Sequence, residues 1–191
     1  IYLQSLRKTK PELSVFLMKR GLWLIFVELV IISFAWSFNP AYERFPLGVI
    51  WSIGISMFIL VLLIELPYKL ILGIGLIIVF GHNLLDFPEA ATGFNGGFWL
   101  DLLHSSKWTS YQIIGNRNLI IAYPFLPWLG LMIMGYCTGQ LFSPQFDSSK
   151  RKKLLTQTGI ALLVLFVILR GINIYGDPII WSQQRNGLYT F

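Results

Sequence analysis

The chain has 191 residues, 55% of them hydrophobic and only 13% charged, and its mean hydropathy is +0.65. Soluble domains carry roughly 25% charged residues, so the composition excludes a disordered segment, a collagen-like repeat and an ordinary water-soluble globule. Lys and Arg outnumber Asp and Glu by 15 to 9, but the basic residues sit between apolar runs and form no single face, which excludes nucleic acid as a partner.

A bilayer crossing takes about 20 apolar residues, and five such runs follow one another. They cover 20–38, 47–64, 69–87, 119–142 and 154–175, and Pro40, Pro67, Pro88 and Pro178 close four of them, as natural helix stops. The runs are continuous and do not alternate, which argues against strands. The expected fold is all-α: a polytopic membrane helix bundle in which 1–191 form a single, partial transmembrane domain of five transmembrane helices. An outer loop, 88–118, separates the third and fourth spans, and Asp101 to Trp108 is a candidate short interfacial helix within it. The chain opens on Ile1-Tyr2-Leu3 without an initiator Met or a signal-peptide pattern, so a fragment cut at both ends is expected. Cys137 is the single cysteine, which excludes an internal disulfide and a multi-cysteine metal site.

Orientation follows from the basic residues. Arg7, Lys8, Lys10, Lys19, Arg20, Lys69 and Lys150 to Lys153 fall on one side of the spans, against Arg44, Lys107, Arg117, Arg170 and Arg185 on the other. The positive-inside rule puts the N-terminus in the cytoplasm and the 88–118 loop outside. Trp36, Trp51, Trp99, Trp108 and Trp181 then lie at or beyond the outer boundary, as an interfacial belt or a cleft lining would. Gly135 with Gly139, and Ser52 with Ser56, are small-xxx-small pairs that let helices approach closely.

Ionisable groups in hydrocarbon need a partner or a task. Glu28, near the middle of the first span, is expected to be protonated or paired, with a structural hydrogen bond and a functional role both open. His82 and Asp86 stand one α-helical turn apart, so Asp86 is placed to orient the imidazole and leave its other nitrogen as a base. Asn83 lies between them. Arg170 and Asn173 share a face of the fifth span, with Asp177 on its exit turn. Tyr123-Pro124 and Pro127-Trp128 either break the fourth span beside a cavity or simply start its helix. Two histidines without clustered carboxylates or thiols give no metal site.

The motifs also follow a known order. Arg20-Gly21-Leu22-Trp23-Leu24 with Glu28 comes first, then Val49-Ile50-Trp51-Ser52-Ile53-Gly54 and Gly81-His82-Asn83-Leu84-Leu85-Asp86. Tyr123-Pro124, Pro127-Trp128-Leu129-Gly130, Met134-Gly135-Tyr136 and Leu169-Arg170 through Asn173-Ile174-Tyr175-Gly176-Asp177-Pro178 complete the series. This series resembles the bacterial branch of the heparan-α-glucosaminide N-acetyltransferase catalytic-domain family over nearly the whole chain. The resemblance implies a multi-pass transmembrane acyltransferase in a bacterial plasma membrane. It would pass acetyl from cytosolic acetyl-CoA, its acyl donor, to an extracytoplasmic amino sugar or envelope glycan, by N- or O-acylation. Two further helices, carrying an Arg-Gly signature and the histidine credited with acetyl transfer, precede the matching residues in that family. That histidine is therefore not carried onto His82 or His104. A fragment without those helices is expected to be inactive alone.

On this reading His82 and Asp86 are a supporting catalytic pair, and Asn83, Arg170, Asn173, Asp177, Tyr123 and Trp128 bind the acceptor. Lys19, Arg20, Lys150 and Arg151 meet the coenzyme's phosphates, although lipid headgroups and topology account for the same charges. The lipid bilayer is a partner, and a homo-oligomer is compatible with the spans. The rival reading is a transporter or flippase for a glycan or lipid intermediate, in which the intramembrane charges line a path and no acyl group moves.

Overall fold

The computed structural model describes residues 1–91, 96–105 and 107–172, the Leu3 side chain excepted. The chain separates into two compact units, one of Ile1–His82 with Asn95–Gly139, the other of Asn83–Phe94 with Gln140–Phe191.

The first unit opens with α1 (Tyr2–Ser5) and α2 (Lys10–Phe26). Thr9 precedes α2, and its backbone N–H donates to the Glu12 carboxylate at 2.9 Å, the return half of a capping box. That contact, first among its causes, holds the Glu12 carboxyl below the usual carboxylate range. The helix widens into a π-helical segment, Val27–Ile32, and continues as α3 (Ser33–Ser37). It stops at Phe38, in the left-handed region with φ 48°, directly before Asn39-Pro40. β1 (Arg44–Leu47), α4 (Val49–Leu63) and α5 (Tyr68–Gly81) follow. After α7 (Gly97–Leu103) come β2 (Thr109–Ile114), β3 (Arg117–Ile121) and α8 (Leu126–Thr138).

α2 and α4 cross backbone to backbone. A Cβ on Gly21 would lie 2.8 Å from the Gly54 carbonyl, and one on Gly54 2.9 Å from that of Gly21. α5 and α8 meet glycine to side chain, Gly75 receiving the Ile133 side chain and Gly130 that of Ile78. Of the Gly135-xxx-Gly139 pair, Gly135 has open space where a Cβ would be, while Gly139 lies tightly against the Tyr2 side chain of α1. One apolar core unites Leu13 and Leu17 of α2, Leu60 and Ile64 at the end of α4, Ile71 of α5, and Leu129, Ile133 and Cys137 of α8.

The fold is mostly helical, but the all-α expectation is corrected by a three-stranded sheet of order β1-β3-β2. β1 runs parallel to β3, with Arg44 opposite Asn118 and Leu47 opposite Ile121, and β2 runs antiparallel to β3. The segment Gln112-Ile113-Ile114-Gly115-Asn116-Arg117 is a hairpin, with Gly115 at φ 56°. Leu119 to Ile121 extend an apolar run into the fourth span, which is why hydropathy assigned them to a helix. Two physical facts decide otherwise: β-branched residues flank a Gly-Asn turn, and Pro124 and Pro127 delay helix formation until Leu126. Pro127 then sits in the first turn of α8, a helix entry. The loop helix is likewise displaced, to Gly97–Leu103 in place of Asp101 to Trp108.

In the second unit, α6 (Asp86–Glu89) and α9 (Ser148–Ile172) are separate elements. A 3-10 turn, His82–Leu85, leads into α6. Among the described residues, two helical runs are long and apolar enough to cross a membrane, Tyr68–Glu89 with 22 residues and Ser148–Ile172 with 25. α4 is apolar but has 15 residues, α8 has 13, and the π-helical segment interrupts the first run. Among the described residues two helices thus meet the length and composition of a crossing, and the other three runs fall short of that length as unbroken helices.

Candidate active site

The ends of both strands of the parallel pair converge on the start of α4. The Leu47 carbonyl accepts the N–H groups of Ala122 and Tyr123, at 3.2 and 2.9 Å, and Gly48 then opens α4. Here the π-helical segment presents Glu28, whose side chain is only 3% exposed. Its Oε1 accepts the Gly48 N–H at 3.0 Å and its Oε2 the Trp51 N–H at 3.3 Å. A carboxylate from one helix therefore caps the N-terminus of another, where free N–H groups and the helix dipole favour negative charge. Carbonyls of the wide turn are satisfied in turn: Ser33 Oγ donates to Glu28 O at 3.0 Å and Tyr42 Oη to Val30 O at 3.2 Å. Of the two roles left open for Glu28, the structural one is built.

Glu28 also lines a cavity of about 460 Å³, walled by Ile32, Trp36, Pro46, Gly48, Val49, Ile50, Trp108, Ala122 and Tyr123. Tyr123 packs against Trp128, ring centroids 5.9 Å apart. Trp108 is held at φ 54°, a conformation costly for a bulky side chain. Behind the cavity Leu47, Trp51 and Ile121 form a second apolar cluster, onto which Phe98 and Leu102 of α7 pack. Ser52 Oγ donates to the Pro124 carbonyl at 3.4 Å and Ser56 Oγ to the Ser52 carbonyl at 2.7 Å, so this small-residue pair serves backbone satisfaction as well as packing.

α7 ends at His104, which is buried. Its Nε2 lies 3.3 Å from Nδ1 of His82, the rings 5.5 Å apart and inclined by 53°. At that separation one ring donates N–H and the other accepts, so the pair fixes complementary tautomers. Ser105 is buried beside it, its Oγ without a hydrogen-bond partner among the described residues. Below α7, Tyr111 Oη donates to Asp101 Oδ2 at 2.8 Å. Burial first, then this bond, push the Tyr111 hydroxyl up to about 12.

The i,i+4 argument for His82 and Asp86 assumed an unbroken α-helix, whereas His82–Leu85 is a 3-10 turn. His82 closes the first unit and Asp86 belongs to the second, where Asn83 Nδ2 donates to Asp86 Oδ2 at 3.3 Å. His104 was missed as a partner because it is 22 residues from His82 and no periodicity links them. Arg170 lies in the last turn of α9; Asn173 and Asp177 fall outside the described residues. Near α2, the Arg20 guanidinium and the Lys8 ammonium both lie over the Phe16 ring, at 5.7 and 5.8 Å. Lys19 shares a groove with Lys8 and Phe16. At α9, Asp147 Oδ1 accepts the Lys150 N–H at 2.7 Å, and Arg151 lies over the Phe142 ring and donates to the Leu141 carbonyl.

No curated protein and no solved structure matches the chain. Residues 2–175 do match a family model, that of the heparan-alpha-glucosaminide N-acetyltransferase catalytic domain. With nearly its whole length matched, the chain belongs to the heparan-alpha-glucosaminide N-acetyltransferase catalytic-domain family.

Proposed function

We propose that this protein is a membrane-embedded acetyltransferase of bacterial origin, taking acetyl from cytosolic acetyl-CoA and delivering it to an extracytoplasmic amino sugar or envelope glycan. The observation that carries the reading is the family match over residues 2–175. The two long apolar helices agree with a membrane setting. In the proposed topology the five runs 20–38, 47–64, 69–87, 119–142 and 154–175 all cross, α4 and α8 as short spans, with the N-terminus cytoplasmic and 88–118 outside.

The chemistry needs a base for the acceptor and donors for the oxyanion. The acceptor's nitrogen or oxygen attacks the thioester carbonyl, its proton passes to an imidazole, and the C–S bond breaks to release the coenzyme thiolate, which takes up a proton. His82 is the proposed supporting base, with His104 as its imidazole partner. Asn83, Arg170, Asn173 and Asp177 are proposed around the acceptor with Tyr123 and Trp128, and Lys19, Arg20, Lys150 and Arg151 at the coenzyme phosphates.

The test uses the full-length protein in proteoliposomes with radiolabelled acetyl-CoA and a panel of amino sugars. Label is expected on the sugar, and His82→Ala is expected to slow transfer by roughly 100-fold, the scale of a lost general base. Failure to label any sugar, or an unchanged rate in His82→Ala, overturns the reading. Sugar flux without acetylation would instead establish the transporter alternative.

A further inference from the structure

We propose that the cavity at the start of α4 is a pyranose-binding subsite, in which the Glu28 carboxylate accepts ring hydroxyls and Trp36, Trp108 and Tyr123 receive the apolar face of the sugar. The assignment rests on the acyl-transfer reading for treating that sugar as part of the acceptor. An ionised carboxylate is acceptor-only, with about four lone-pair sites. Two are taken by the Gly48 and Trp51 N–H groups, so whatever enters the cavity must bring donors. The N-terminus of α4 contributes about half a positive charge at the same spot, which leaves Glu28 with acceptor capacity but a partly offset charge. Hydroxyls suit that balance better than an ammonium, and charge-assisted O–H to carboxylate bonds are among the stronger ones.

The rest of the lining is aromatic or aliphatic. An apolar wall with one convergent polar group is the common form of a small-molecule site, and about 460 Å³ lies within the usual range of roughly 300–1,000 Å³. Two costly features are maintained around it. The π-helical segment that carries Glu28 belongs to a class frequent at functional sites. Trp108 keeps a left-handed backbone at the cavity wall, and strain of this kind gathers at ligand clamps.

The experiment is calorimetric titration of the full-length protein in nanodiscs with methyl β-glucopyranoside, glucosamine and cyclohexylamine, with acetyl transfer measured in parallel. Both sugars are expected to bind and cyclohexylamine is not. Glu28→Gln is expected to weaken sugar binding at least ten-fold. Trp108→Gly, which relieves the left-handed strain and removes one wall, is expected to do the same in a folded protein, and it serves if Glu28→Gln does not fold. Unchanged sugar affinity in the folded variants, cyclohexylamine binding as tightly as the sugars, or no saturable sugar binding overturns the proposal. Glu28-dependent sugar binding in a protein that transfers no acetyl would overturn the acyl-transfer reading alone. Acetyl transfer with an unchanged acceptor KM in Glu28→Gln would overturn the subsite alone.

Discussion

The two ends of the α2–α4 pair are built on opposite principles. At one end Leu13, Leu17, Leu60 and Ile64 join Ile71, Leu129, Ile133 and Cys137 in a core without a charged side chain. At the other, Leu47, Trp51 and Ile121 back a cavity that contains a buried carboxylate. Beside it stand a π-helical segment, an edge strand containing Pro46 and a left-handed tryptophan. The same two helices thus supply a packed anchor and an apolar chamber with one buried carboxylate. The lesson is that the strained, carboxylate-bearing end is affordable because the apolar end already holds the helices in register, as expected where strain is over-determined by its surroundings.

Substitutions at the two ends sharpen this contrast. The largest stability loss is expected at the apolar end: Leu60→Ala, at a fully buried position, should cost about 2–5 kcal/mol while leaving acceptor binding unchanged. Thermal melting of the purified protein, with sugar titration alongside, checks both halves. Gly48→Ala should cost less, about 1–3 kcal/mol, because its Cβ would fall 2.5 Å from Glu28 Oε1 and dislodge the carboxylate from the N–H groups of α4. Unlike Leu60→Ala, it should also weaken sugar binding; equal sugar affinity in the two variants would erase the distinction between the ends.

The smallest effect belongs to Tyr111→Phe, which removes the bond to Asp101 at about 1 kcal/mol. Its sign with pH is set by the raised hydroxyl pKa. The folded state holds that proton more tightly than an unfolded tyrosine titrating near 10, so the contribution is complete below pH 10 and disappears as pH rises towards about 12. The variant should lose less stability over that alkaline range than the parent, and a 295 nm absorbance titration should lose one late phenolate.

Much of the helical layout was legible because apolar runs and prolines act locally. Phe38 and Asn39-Pro40 end the first helix, and Pro67 precedes α5. The sheet was not, because Leu119 to Ile121 look the same to hydropathy as a helix and as a strand until β1, more than seventy residues earlier, is available for pairing. Glu28 was flagged by its cost in an apolar run, but the N–H groups that answer it belong to Gly48 and Trp51, twenty and twenty-three residues on. His104 carried no signal, since its partner is an imidazole brought close only by folding.

By itself, then, the sequence determined the family, the apolar helical character and the scarcity of charge, all properties of composition and local order. Only the tertiary structure decided what each scarce polar group does. A buried carboxylate or imidazole is defined by the donor or acceptor that meets it, and here each such partner comes from a different element of the chain.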